Sequence, residues 1–174
     1  WQDALPLLKA MVKIDPAHPY LELIMGREIN KNESYYFRDR DAVALWHWKD
    51  RDTSGANAKD QQALSYFGKL EDLARQCADN PQVKDPAYWN TAAAYISYVR
   101  GDYKTAKPLL AKAEKQASEN AVLMQQIRLQ QLLLATDESK EITPALEEKV
   151  LPLLQDLKNS TNFYKNNALV LACQ

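Results

Sequence analysis

The chain reads as all-α: antiparallel helix hairpins, roughly seven or eight helices in total, stacked side by side as an α-solenoid. Three observations predict this. Only four of the 174 residues are glycine, and 46% are hydrophobic with Ala and Leu prominent among them, which favours helix over sheet. Apolar residues recur at helical spacing along most of the chain, and no period-two strand pattern stands out. Connections such as Gly101-Asp102 are short, so neighbouring helices must pack antiparallel.

The elements follow in order. A first helix is expected over roughly 2–14, ended by Asp15-Pro16, because the residue before a proline is pushed out of helical conformation. A second begins near Pro19, with Leu21, Ile24, Met25 and Ile29 on one face. Residues at about 37–60 form an irregular insertion whose short apolar piece spans Ala42–Trp48. Helical period resumes at Leu64, Phe67, Leu70, Leu73 and Ala74 and ends at Asn80-Pro81. Pro86 then opens a helix at a position where its missing N–H costs little. Gly101-Asp102 ends that helix, and Tyr103–Ala117 forms the next. Another follows from Glu119 and breaks at "TDESKEI", Thr143-Pro144 opens one that reaches Asn159, and a last begins at Thr161.

Three stretches, "DALPLLKAM", "TAKPLLAKA" and "KVLPLLQDL", place Pro6, Pro108 and Pro152 before paired leucines. Pro6 and Pro108 are expected at one equivalent site, early in a helix, where proline forfeits about one hydrogen bond. Pro152 lies deeper, so a kink or a restart is expected there.

Composition excludes several classes of function. A net charge of −1 gives no long-range field, so nucleic acid is not an expected partner. No apolar run approaches the ~20 residues of a membrane span. The chain starts at Trp1 with helical pattern close behind and no signal-type segment, and so reads as a piece of a longer polypeptide. Cys77 and Cys173 lack metal or redox spacing and are expected as buried thiols, a disulfide being the alternative in an exported protein.

"NTAAAYISYVRGDYKTAKPLLAKAEKQASEN" resembles a tetratricopeptide repeat, through Ala94, Gly101, Tyr103, Ala106, Leu110 and Ala113. Asn90, Ser97 and Ser118 depart from the family's usual Trp, Tyr and Pro, and Trp89, Tyr95 and Tyr98 lie beside those slots. Ala4, Leu8 and Pro16 resemble the second half of such a unit, and Met25-Gly26 the large–small pair of the next. "REINKNESYYF" and "QIRL" are similar to stretches of large bacterial repeat proteins. The resemblance implies a TPR-like, non-catalytic scaffold for a protein or peptide. Its face would comprise Tyr20, Arg27, Asn30 and Lys31 from one unit, Tyr88, Thr91 and Tyr95 from another, and Gln125 from the next. Tyr95 is equally readable as buried between units.

Other motifs are weaker. Asp50, Asp52, Ser54 and Gly55 match the opening of an EF-hand calcium loop, but Gln61 stands where the bidentate Glu belongs. Tyr35, Tyr36, Phe37, Trp46 and Trp48 concentrate aromatic faces suited to a glycan or other small ligand, the alternative function. His47 sits between two tryptophans without catalytic partners. Glu28, Glu33, Glu147 and Glu148 read as solvated carboxylates. Arg100-Gly101-Asp102 reads as a helix-to-helix turn, and Asn32 and Asn159 head glycosylation sequons. No phosphate loop, zinc spacing or nucleophile grouping is recognisable, so neither an enzyme nor a cofactor is expected.

Overall fold

The computed structural model describes residues 3–33, 56–117, 119–139 and 141–159. Among these lie seven helices and no strand: α1 (Leu5–Ile14), α2 (Tyr20–Glu33), α3 (Ala56–Ala78), α4 (Pro86–Val99), α5 (Tyr103–Gln116), α6 (Ala121–Glu138) and α7 (Pro144–Asn159). No helix among the described residues is long and apolar enough to cross a membrane.

Local chemistry sets the boundaries. Asp85 caps α4 by accepting the Tyr88 N–H at 3.1 Å, and Pro86 occupies the first helical position. Asp102 and Asn120 cap α5 and α6 in the same way, through the N–H groups of Thr105 and Leu123. At the end of α4, Gly101 N–H donates to the Tyr98 carbonyl and Asp102 N–H to the Ser97 carbonyl, both at 2.9 Å. That double bond pattern needs a left-handed residue, which Gly101 supplies at φ +79°. Arg100 is tied to Glu71 of α3 at 2.5 Å, while Asp102 is used as a cap. The Arg-Gly-Asp triplet is thus consumed by the turn. Gly101→Val is expected to cost about 1–2 kcal/mol, read from the shift of a denaturation midpoint, because a side chain is strained at that φ.

Helix α4 is the centre of the packing. It contacts α3 and α5, its sequence neighbours, and also α2 and α6. Ala92, Ala93 and Ala94 keep its surface thin, so partners approach from several sides. Trp89, Ala93 and Ile96 join Leu8, Leu21, Met25, Phe67 and Leu70 in one core cluster. Ala87, Ala94 and Tyr98 join Ala106, Leu110, Ala113, Leu123 and Ile127 in a second. A helix apolar around most of its circumference has to be buried on most of it.

Some boundaries differ from the sequence-based expectation. Helix α3 begins at Ala56, within the stretch expected to be irregular up to 60; the rest of that insertion lies outside the described residues. So do the aromatic set Tyr35, Tyr36, Phe37, Trp46 and Trp48, the calcium candidates Asp50, Asp52 and Ser54, the final helix from Thr161, and Cys173. Helix α6 continues to Glu138 through Thr136-Asp137, because polar residues at a helix end do not by themselves stop it. The prolines are not equivalent: Pro6 is the second residue of α1, whereas Pro108 is the sixth of α5. The α1 N–H groups find partners outside the helix, so α1 starts later than the pattern implied. Pro152 lies inside α7, which runs on without a restart.

Candidate functional site

A groove of about 630 Å³ runs between α2, α4 and α6. Helix α2 contributes Glu22, Gly26, Ile29, Asn30 and Glu33, spaced so that one stripe of the helix faces the opening. Helix α4 contributes Tyr88, Thr91, Ala92 and Tyr95, with its cap Asp85 at one end. Helix α6 contributes Val122, Leu123, Gln126, Leu129, Gln130 and Leu133, with its cap Asn120.

The tyrosines lock the wall. Tyr88 Oη donates to the Glu22 carbonyl at 2.6 Å, and Tyr95 Oη donates to the Glu33 carboxylate at 2.8 Å. Both bonds cross from α4 to α2, so the rings are held in place while bordering the groove. Thr91 Oγ1 donates to the Ala87 carbonyl within its own helix. Tyr98, whose ring lies 6.1 Å from that of Tyr95, reaches Asp137 of α6 through its Oη at 2.6 Å.

The carboxylates feel this setting. Burial raises the pKa of Glu22, with the nearby Asp85 charge adding to it and Lys84 opposing. Burial likewise raises that of Glu33, against the hydrogen bond from Tyr95. Burial also pushes up the Tyr88 hydroxyl, leaving it a neutral donor. Among the described residues, no group of three or more His, Cys, Asp or Glu could hold a metal ion.

Of the residues expected on a binding face, Asn30, Tyr88, Thr91 and Tyr95 come together here. Tyr20, Arg27, Lys31 and Gln125 do not line the groove. Tyr20 is exposed beside His18, their rings 5.4 Å apart. Arg27 lies 3.7 Å from Glu28, and Gln125 is partly buried one position before the groove residue Gln126. Lys31 is held in an ion network, 2.6 Å from Glu28 and 2.9 Å from Asp3. An error of one residue turns a side chain by about 100° around the helix, which separates 27 and 31 from 26 and 30.

Other expectations also change. Glu28, read as solvated, is fully buried, and Glu33 is partly buried. Asn32 is buried too, with Nδ2 on the Glu28 carbonyl at 2.7 Å, so its sequon offers no accessible amide. Glu147 and Glu148 are exposed, as read. Cys77 is a free thiol in the core, its pKa pushed up by burial to about 11, and chemically quiet.

Sequence reasoning missed Glu22, Gly26, Glu33 and Gln130. The first three share a helical stripe with Asn30, but only packing against α4 tells which stripe faces inward. Comparison with protein-family models, with curated proteins and with solved structures gives no match to the chain.

Proposed function

We propose that the chain is a non-catalytic binding scaffold of TPR-like helix hairpins stacked as a solenoid, with an extended peptide segment of a partner protein held in the groove between α2, α4 and α6. In this reading each of the three is the first helix of its hairpin. The carrying observation is that these alternate helices surround one cleft containing Asn30, Tyr88, Thr91 and Tyr95. Rigid tyrosine rings beside hydrogen-bonding side chains suit a peptide, because they offer contact area at little cost in side-chain freedom.

Gly26→Leu tests it. A Cβ at Gly26 would meet Tyr88 Oη at 3.6 Å, an ordinary contact, so the helix accepts the change while the rest of the leucine fills the groove. Helix propensity favours leucine over glycine by about 0.8 kcal/mol, so stability should hold or rise. Peptides selected on the wild-type chain from a random display library should lose at least roughly tenfold in affinity, about 1.4 kcal/mol, on this variant. Undiminished binding with an unchanged melting curve would rule this groove out.

A further inference from the structure

The groove has a charge that the whole chain lacks. With 22 basic and 23 acidic residues the protein is nearly neutral, yet Glu22, Glu33 and Asp85 line the groove and, among the described residues, no Lys, Arg or His does. Lys84 acts on Glu22 only from outside that lining. A second feature points the same way. Gln130 borders the groove at 3% exposure, and its Oε1 is buried with no hydrogen-bond partner. A buried acceptor without a donor within the chain is unfavourable and becomes satisfied when a ligand brings an N–H to it.

The acids are also spread out. Glu22 and Glu33 stand eleven residues apart on α2, about 16 Å along the helix axis. Asp85 lies at the Glu22 end, close enough for its charge to be felt there. The three do not converge on a point where one metal ion could sit. Sixteen ångströms is the length of about five residues of extended chain. Ile29, Leu129, Leu133 and the two tyrosines line the same groove, surfaces that take the aliphatic stems of long cationic side chains and stack with guanidinium groups.

We infer that the groove selects a basic peptide: an extended segment of a partner protein with two Lys or Arg side chains about four or six residues apart, an even spacing that turns both toward α2, one directed to Glu22 and Asp85, the other to Glu33, with a donor meeting Gln130 Oε1. This deepens the scaffold reading and rests on it. Each cation gains a carboxylate in a partly water-excluded setting, where charge-assisted bonds are stronger than neutral ones. An acidic segment would meet three like charges and is rejected.

The test separates the charge from the groove. A random peptide library is displayed against the wild-type chain, enriched sequences are resynthesised with a fluorescent label, and affinities are measured by anisotropy at low and at raised salt. Enriched sequences are expected to carry paired Lys or Arg at about that spacing and to weaken as salt rises. The triple variant Glu22→Gln, Glu33→Gln, Asp85→Asn removes the charges and keeps the local bonds, since glutamine can still accept from Tyr95 and asparagine still caps α4. It should lose roughly tenfold or more, and Gln130→Leu a smaller factor. If Gly26→Leu abolishes binding while the triple variant binds as the wild type does, the scaffold stands and the basic-peptide inference falls. Enrichment of neutral or acidic sequences overturns it as well. Spermine binding as tightly as the peptides, and lost in the triple variant, would replace the peptide with a small polyamine as occupant.

Discussion

Replacing Trp89 with alanine is expected to remove about 4 kcal/mol of folding stability, enough to leave a marginally stable domain largely unfolded. Among the described residues Trp89 is the largest fully buried side chain, at 1% exposure, and it belongs to the cluster that joins α1, α2, α3 and α4. Its ring meets Tyr88 edge-on at 5.4 Å, so its removal leaves a void directly behind a tyrosine of the groove wall. Trp89→Phe keeps an aromatic ring at that contact and should cost less than half as much, because the cost follows the volume lost. Urea denaturation followed by circular dichroism gives both numbers, with an unchanged slope showing that the unfolded state is not what moved. Peptide affinity should fall in the alanine variant even where it remains folded, since Tyr88 loses its backing. A loss below about 1 kcal/mol would mean that the core closes over the gap and that this ring does not set the spacing between α2 and α4.

Trp89 also shows how far the sequence could be read. The buried small positions Ala94, Ala106 and Ala113 and the turn at Gly101 were legible because each follows from a local constraint, helical spacing or a left-handed residue. The prominence of aromatics beside Asn90 and Ser97 was legible too, and Trp89 and Tyr98 are buried while Tyr95 is only partly so. Asn90 and Ser97 are themselves buried: Asn90 Nδ2 donates to Gln116, and Ser97 Oγ to Glu71. No local pattern announces such bonds, because the partners lie 26 residues away in each case. The same limit explains the half-recovered groove. Of the four expected residues that line it, three come from α4, where the phase was fixed by a long apolar run, whereas on α2 only Asn30 faces the groove and on α6 Gln125 stands one position from the lining residue Gln126. Tertiary contacts set that phase, and they also turned Glu28 from an apparent surface acid into a fully buried charge.

Glu28→Ala should cost about 3 kcal/mol, because it strips the shared acceptor from three donors at once. Glu28 Oε2 accepts the Ala4 N–H at 3.2 Å, the Lys31 ammonium at 2.6 Å and the Tyr66 hydroxyl at 2.5 Å. Tyr66 Oη in turn accepts the Leu5 N–H at 3.1 Å, and Lys31 also binds Asp3. One carboxylate of α2 thereby serves the free N–H groups at the start of α1 and ties in Tyr66 of α3, the work a capping side chain would do if Ala4 had one. Burial alone would raise its pKa, but the bonds from Lys31, Tyr66 and Ala4, with the Lys31 charge, hold it below the ordinary 4.5. A depressed carboxylate stabilises the fold above its unfolded value and ceases to do so as pH falls through the folded one. The stability gap between wild type and Glu28→Gln should therefore stay level from neutral pH down to about pH 5 and shrink below that. At the alkaline end burial would lower the Lys31 pKa, yet its bonds to Glu28 and Asp3 raise it above 10.5, so its share is complete below that value and fades only beyond it. Glu28→Ala combined with Tyr66→Phe should cost clearly less than the two single changes added together, as befits groups in one network. A gap that is flat through pH 3, or strict additivity in that pair, would show that Glu28 contributes by packing and not as a buried anion.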